Sequence, residues 1–374
     1  MVKPSVWRLF PMRRDNHLDL LRLIAASLVF YSHSFALLGL PSPKFLAWID
    51  LGALGVYIFF IVSGYLIAAS WEQDPSLPRF FARRALRIFP GLWVCVILTL
   101  FLLGPLLTTR SLPAYFTDWR TWRYLGNLGL YTSYYLPGVF ETVRYPNAVN
   151  GSIWTLPIEF LMYLVVAGVG ALRGNRWFFA GLLSASAALA FFWASRAPSP
   201  LVIFAMDARE IFICGTYFWA GAIFRKFNLN RHCSLTLALL AGAGMLSLMA
   251  WPRLLGVAAW ALLPFPVLSF GLSHSPLAAL TRRGDYSYGI YIYAFPVQQT
   301  VTFLAPHLGL APYLLICGGV TLTLAILSFH LVERRALALK PRRRQPAAPE
   351  HALVEATTAC GMEAPLPISM TGEL

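Results

Sequence analysis

Charge is scarce in this sequence: Asp, Glu, Lys and Arg make up 12% of its residues, about half the share of an ordinary soluble domain. Acidic residues are the scarcer sign, 16 against 30 basic ones, giving a formal net charge of +14. The five cysteines, Cys95, Cys214, Cys233, Cys317 and Cys360, have no paired spacing, so neither a disulfide framework nor a zinc site is indicated. There is no glycine-rich nucleotide loop, no internal repeat and no metal-ligand cluster. The basic N-terminus is not followed by a cleavage site after a short apolar core, so the first apolar run is expected to stay in the mature protein.

What the sequence has is hydrophobicity, 58% of its residues. Apolar segments run approximately over 18–38, 48–71, 88–108, 151–172, 177–195, 203–224, 233–251, 254–273, 285–305 and 312–332. The expectation is an all-α polytopic membrane protein of about ten transmembrane helices, multi-pass in the inner (plasma) membrane. Ten crossings put both termini on one side. With that side cytoplasmic, 21 lysines and arginines fall on inner segments and seven on outer ones, as the positive-inside rule requires. Most of the positive charge is therefore topological; lipids are expected partners and nucleic acid is not. A basic cytoplasmic N-terminus (1–15), a transmembrane domain (16–336) and a disordered cytoplasmic tail (337–374) complete the expected layout.

Ionisable groups inside apolar segments point to function, because hydrocarbon rejects them. Arg22 and His33 lie eleven residues apart on the first segment. At about 100° per residue they share one face, about 16 Å apart along the axis. Arg22 then sits near one surface and His33 towards the other. The competing reading is a snorkelling arginine paired with Asp19 and a histidine satisfied by a neighbouring helix. Glu159 is the second costly residue. Counting from the segment ends puts it roughly 12 Å below the outer surface, against roughly 8 Å for His33, so the two can meet. A carboxylate beside an imidazole fixes its tautomer and raises its basicity, which suits a general base.

Small residues at Gly52, Gly55 and Gly64 of the second segment permit close helix approach, and Ser63 falls nearer its inner side. Arg79, Arg83, Arg84 and Arg87 crowd an inner loop, suiting a phosphate-rich ligand or anionic headgroups, with an interfacial helix as the alternative. The long outer segment from 109 to 150 carries Trp119, Trp122, Tyr134, Tyr135, Asn147 and Asn150, either an interfacial belt or a polar shelf for an external substrate. The fifth to eighth segments are mostly bland.

Together, Asp19 and Arg22 with His33, Phe59-Phe60-Ile-Val-Ser63-Gly64-Tyr65, Arg84-x-x-Arg87-Ile-x-Pro90, Trp154-Thr-Leu-x-x-Glu159-x-x-x-Tyr163, Ser287-Tyr288-Gly-Ile-Tyr291 and Glu333 resemble the membrane-bound acyltransferase family 3. The resemblance runs from about residue 16 to 336. It implies transfer of an acyl group, often acetyl from acetyl-CoA, to a hydroxyl of a carbohydrate, lipid-linked glycan or other envelope acceptor, with acyl-CoA as co-substrate and no permanently bound cofactor. The expected catalytic residues are His33 and Glu159. Arg22, Arg84, Arg87, Ser63 and Tyr288 are expected to bind the acyl donor, and Trp154, Asn150 and Asn147 the acceptor. No metal is expected. The sequence ends after a short tail, which would put it with the stand-alone members of the family. Some relatives have a histidine in the ninth-segment motif where this sequence has Ala294, which sets a second-histidine role in question. The main alternative is a transporter or flippase using Arg22, His33 and Glu159 as a proton or substrate path. The sequence shows no inverted repeat and no paired broken segments for one.

Overall fold

The first apolar run becomes α1 (Leu18–Leu38), and it stops where a left-handed residue is affordable. Gly39 has φ +69°, and Leu40 donates to the Phe35 carbonyl at 2.8 Å, closing the carbonyl end. A two-stranded antiparallel hairpin, β1 (Lys44–Phe45) with β2 (Ile49–Asp50), turns the chain into α2 (Leu51–Gln73). The computed structural model describes residues 16–194, 201–281 and 284–341. The expected N-terminal segment up to residue 15, Arg282, Arg283 and the tail from 342 onward lie outside the described residues.

α3 (Leu77–Leu98) corrects the expected inner loop. The four arginines are helical, and through a π turn (Thr99–Leu103) and α4 (Gly104–Leu107) the helix continues for 31 residues. At 1.5 Å per residue that is roughly 46 Å, more than hydrocarbon alone needs. Arginine is a good helix former, and Phe80, Arg83 and Ile88 bury one face of the basic half. The segment expected to lie outside then forms α5 (Leu112–Thr117), α6 (Trp119–Arg123) and a 3-10 turn (Tyr124–Gly129).

The remaining chain forms α7 (Thr155–Ala171), α8 (Arg176–Ala194), a small β3–β4 hairpin (Val202–Ile203 with Met206–Asp207), α9 (Ala208–Lys226), α10 (Leu235–Ser247), α11 (Pro252–Leu262), α12 (Pro264–Leu272), α13 (Ser287–Leu304), α14 (Leu310–Ser328) and α15 (Arg334–Ala338). Each of the ten expected apolar segments contains helix, and among the described residues six helical stretches are long and apolar enough to cross a membrane. Two of the other four, α9 and α13, are interior helices, with 12 of 19 and 13 of 18 residues buried. A helix wrapped in protein need not be as apolar as one facing lipid. The rim is the reverse: Trp177, Phe178, Leu239 and Leu315 are exposed, as expected of a surface whose solvent is lipid.

Helix pairs are drawn close where glycines meet. A Cβ on Gly64 of α2 would stand 1.9 Å from the Phe218 carbonyl of α9, and one on Gly221 of α9 2.1 Å from the Ile61 carbonyl of α2. A Cβ on Gly52 would meet Ser32, and one on Gly55 would meet Ala25 and Val29, so α2 descends antiparallel to α1. α13 runs parallel to α1: Arg22 faces Asp285 at one end, and Gln298 donates to Ser34 and the Phe30 carbonyl at the other. This α1–α13 pair carries the two ends of the candidate site.

Candidate active site

At the basic end, Arg22 pairs with Asp19 at 3.1 Å and reaches Asp285 at 3.7 Å. Arg87 of α3 pairs with the same Asp285. Asp285 also accepts from the backbone and hydroxyl of Ser287, so one carboxylate joins α1, α3 and the start of α13. The Tyr288 hydroxyl donates to the Ile88 carbonyl at 2.6 Å, and the Arg87 guanidinium lies 5.9 Å from the Tyr288 ring centre. Glu333 is buried nearby, accepting from Ser328 at 2.9 Å. Arg22, Arg87 and Tyr288 are thus gathered at one end of the bundle, with both arginines already neutralised.

Arg84 differs from both. It has no ion pair among the described residues; its Nη2 reaches Ser70 at 3.4 Å, its Nε is buried without a partner, and its guanidinium lies 5.9 Å from the Tyr163 ring. Tyr163 and Ser63 both donate to Glu159, Ser63 at 2.6 Å. The other two arginines of the run, Arg79 and Arg83, each bond Asp74 at 2.6 Å. The hydrogen bonds from Arg79 and Arg83 hold the Asp74 carboxyl well below the usual carboxylate range. Those two arginines close the α2–α3 turn.

His33 stands near the opposite end of α1, half-buried, its ring edge-on to Phe295 at 5.1 Å between centres. Its Nδ1 is buried and has no hydrogen-bond partner. The expected meeting with Glu159 does not occur, because the register of α1 and α2 forbids it. Gly52 lies at the level of Ser32, and Ser63, which holds Glu159, is eleven residues further along α2, about 16 Å towards the basic end. Glu159 belongs with Arg84.

The expected acceptor residues separate. Asn150 is 1% exposed and spent on structure: its amide donates to the Ile292 carbonyl at 2.9 Å, and its oxygen accepts from the Ser152 backbone. Trp154 packs against the core. Asn147 is exposed and lines a pocket of about 430 Å³ with Trp119, Arg123 and Tyr134. Gln299 pins this outer loop to α13 through the Tyr145 and Ala148 carbonyls, at 2.7 and 2.8 Å. Asp285, which joins Arg22 to Arg87, and Tyr163, which bonds Glu159 beside Arg84, carried no expected role from the sequence. An acid opening an apolar segment on the basic side was the signal for Asp285.

A family profile described as "Acyltransferase domain" matches residues 15–330. The chain is 33% identical over 331 residues to the O-acetyl transferase of Shigella phage Sf6, covering 87% of this chain and 97% of the relative. It is 30% identical over 359 residues to nodulation protein 10 of Rhizobium leguminosarum bv. viciae, covering 87% and 94%. A shorter likeness, 28% over 134 residues, joins 32% of this chain to 20% of the peptidoglycan O-acetyltransferase OatA of Listeria monocytogenes. No solved structure matches the chain significantly.

Proposed function

Since the chain belongs to the acyltransferase-3 family and is an acyltransferase moving groups other than aminoacyl groups, we propose that it carries acetyl from cytoplasmic acetyl-CoA to a hydroxyl of an envelope carbohydrate. In this reading ten crossings span the inner membrane with both termini cytoplasmic, and acyl-CoA is a co-substrate, with no cofactor held permanently. The observation that carries it is the α1–α13 pair, which has an arginine cluster at one end and an unpartnered imidazole nitrogen at the other.

Arginine forks suit phosphate oxygens, and Arg84 is the member of the cluster with no carboxylate bound. It is the first contact for the phosphates of the donor, with Arg22 and Arg87 held in place by Asp285. Ser63, Tyr163 and Glu159 form the wall beside Arg84, so Glu159 acts here as a positioning residue. The donor's pantetheine arm then runs along α1 and brings the thioester towards His33. His33 takes the proton of the acceptor hydroxyl as that oxygen bonds to the thioester carbon. The carbon–sulfur bond breaks, and the departing thiolate takes the proton back from the imidazolium.

The test is transfer of label from radiolabelled acetyl-CoA to candidate glycans by the purified protein. His33→Ala should lower transfer by about a hundredfold or more at unchanged protein abundance. Unchanged transfer would remove His33 from the mechanism.

A further inference from the structure

The outer pocket is built more firmly than a lipid-facing aromatic belt requires. Arg120 grips Asp118 through Nε at 3.0 Å and Nη2 at 2.8 Å, and lies 5.5 Å from the Tyr135 ring. Asp118 also accepts from Arg110 at 3.2 Å, and Glu141 accepts from Tyr135 and the Gly138 backbone. These bonds hold the carboxyls of Asp118 and Glu141 below their ordinary range, first through Arg120 and Tyr135 respectively. Both acids of the segment are therefore engaged. Arg144 bonds the Leu38 carbonyl. Arg123 alone among these arginines has neither carboxylate nor carbonyl among the described residues, and lies 5.7 Å from the Trp119 ring and 6.0 Å from the Tyr131 ring.

Positive charge on this side runs against the charge bias of the chain, so membrane orientation does not account for it. A guanidinium resting on aromatic faces keeps its N–H fork available for a planar anion. The flat Trp119 and Tyr134 surfaces and the Asn147 amide suit sugar rings and hydroxyls, and about 430 Å³ is within the range of a small-ligand site. Asn147 sits at φ +63°, a backbone position that few side chains tolerate.

A chain of contacts links the loop that lines the pocket to the imidazole. Tyr134 accepts from the Val149 backbone at 2.8 Å, Tyr145 in the same loop lies 6.0 Å from Phe295, and Phe295 lies 5.1 Å from His33. We propose that this pocket is the acceptor subsite and selects an acidic carbohydrate, with Arg123 reading the sugar's carboxylate or phosphate while Trp119 and Asn147 hold its ring. The inference rests on the acyl-transfer reading for its purpose, but binding tests it independently.

The experiment uses the purified full chain in neutral-lipid nanodiscs. It measures binding of galacturonate, glucuronate and mannuronate trimers, their uncharged hexose counterparts and hexose phosphates, alongside label transfer to each. At least one acidic class should bind about tenfold more tightly than its neutral counterpart. Arg123→Gln should erase that margin without weakening neutral binding, and Arg123→Lys should restore part of it. A preference for uronates over hexose phosphates identifies carboxylate as the charge read, and the reverse identifies phosphate. Equal binding of acidic and neutral sugars, or a margin unchanged in Arg123→Gln, overturns the proposal. If transfer to neutral glycans depends on His33 while no acidic margin exists, the subsite fails and the acyl-transfer reading stands. If the Arg123-dependent margin exists and no label moves, the subsite stands and the reaction fails.

Discussion

Asp285 takes two arginines at once, and that makes it the most consequential side chain at the basic end after the arginines themselves. Removing its charge leaves Arg87 without its carboxylate partner and Arg22 with Asp19 alone, both arginines about one-fifth exposed. Breaking such a pair from one side costs on the order of 3 kcal/mol. Asp285→Asn should therefore lower the unfolding temperature in detergent by several degrees, and a stability equal to wild type would show that the two arginines are compensated elsewhere. Glu159 and His33 should also part kinetically. Glu159→Gln loosens the wall beside Arg84 and is expected to raise KM for acetyl-CoA severalfold with kcat nearly kept, whereas His33→Gln should lower kcat. A fall in kcat alone for Glu159→Gln would return it to the histidine. The contrast marks what the sequence carried. The face shared by Arg22 and His33 follows from helical arithmetic within one segment. The depth of Glu159 depends on which residue of α2 stands beside which residue of α1, and that register is set by Gly52 and Gly55 packing on another helix.

Elements meet here through two devices, glycine contacts within the bundle and ion pairs at its turns. Gly64→Ala would drive a Cβ to 1.9 Å from the Phe218 backbone, which no side-chain rotation relieves. Overpacking of this kind costs at least about 1–3 kcal/mol, so the variant should yield markedly less folded protein than Gly168→Ala, where a Cβ meets nothing within 4 Å. Equal yields would mean that α2 and α9 are free to move apart. At the α2–α3 turn the argument is electrostatic. Hydrogen bonds from Arg79 and Arg83 depress the folded-state pKa of Asp74, so its contribution is complete above about pH 4 and is lost as acid protonates it. Below that pH the wild type should lose thermal stability more steeply than Asp74→Asn, and parallel curves would show that Asp74 does not carry the loss. That turn was also the element least legible in advance. A hydropathy window starts the third helix at residue 88 because arginines hide the apolar face of Phe80 and Ile88, whereas the Asp74 pairs let it begin at Leu77. α1, by contrast, was readable over its whole length, since its apolar run ends at a Gly-Leu-Pro turn.

For the whole molecule, the proposal makes a demand that no single residue or helix can meet. The donor's charged head and the acceptor's sugar have to approach from opposite faces, since Arg84 and Asn147 lie at opposite ends of the bundle. The positive charge agrees with that arrangement: Arg225 and Lys226, at the end of α9 on the same side as the arginine cluster, share Glu72 from the end of α2. Sequence could supply the charge bias and the ten apolar segments, but not the pocket at the far end, because its walls come from residues as distant as Trp119 and Asn147, on a loop that Gln299 bonds from α13. Cysteine labelling in intact cells decides the matter. In a background with the native cysteines replaced, a single cysteine at the exposed Asn147 should react with a membrane-impermeant maleimide applied from outside. One at Leu339, 74% exposed beyond α15, should react only after permeabilisation. Labelling of both from the same side would put donor and acceptor in one compartment, and the path along α1 would then have no gradient of access to bridge.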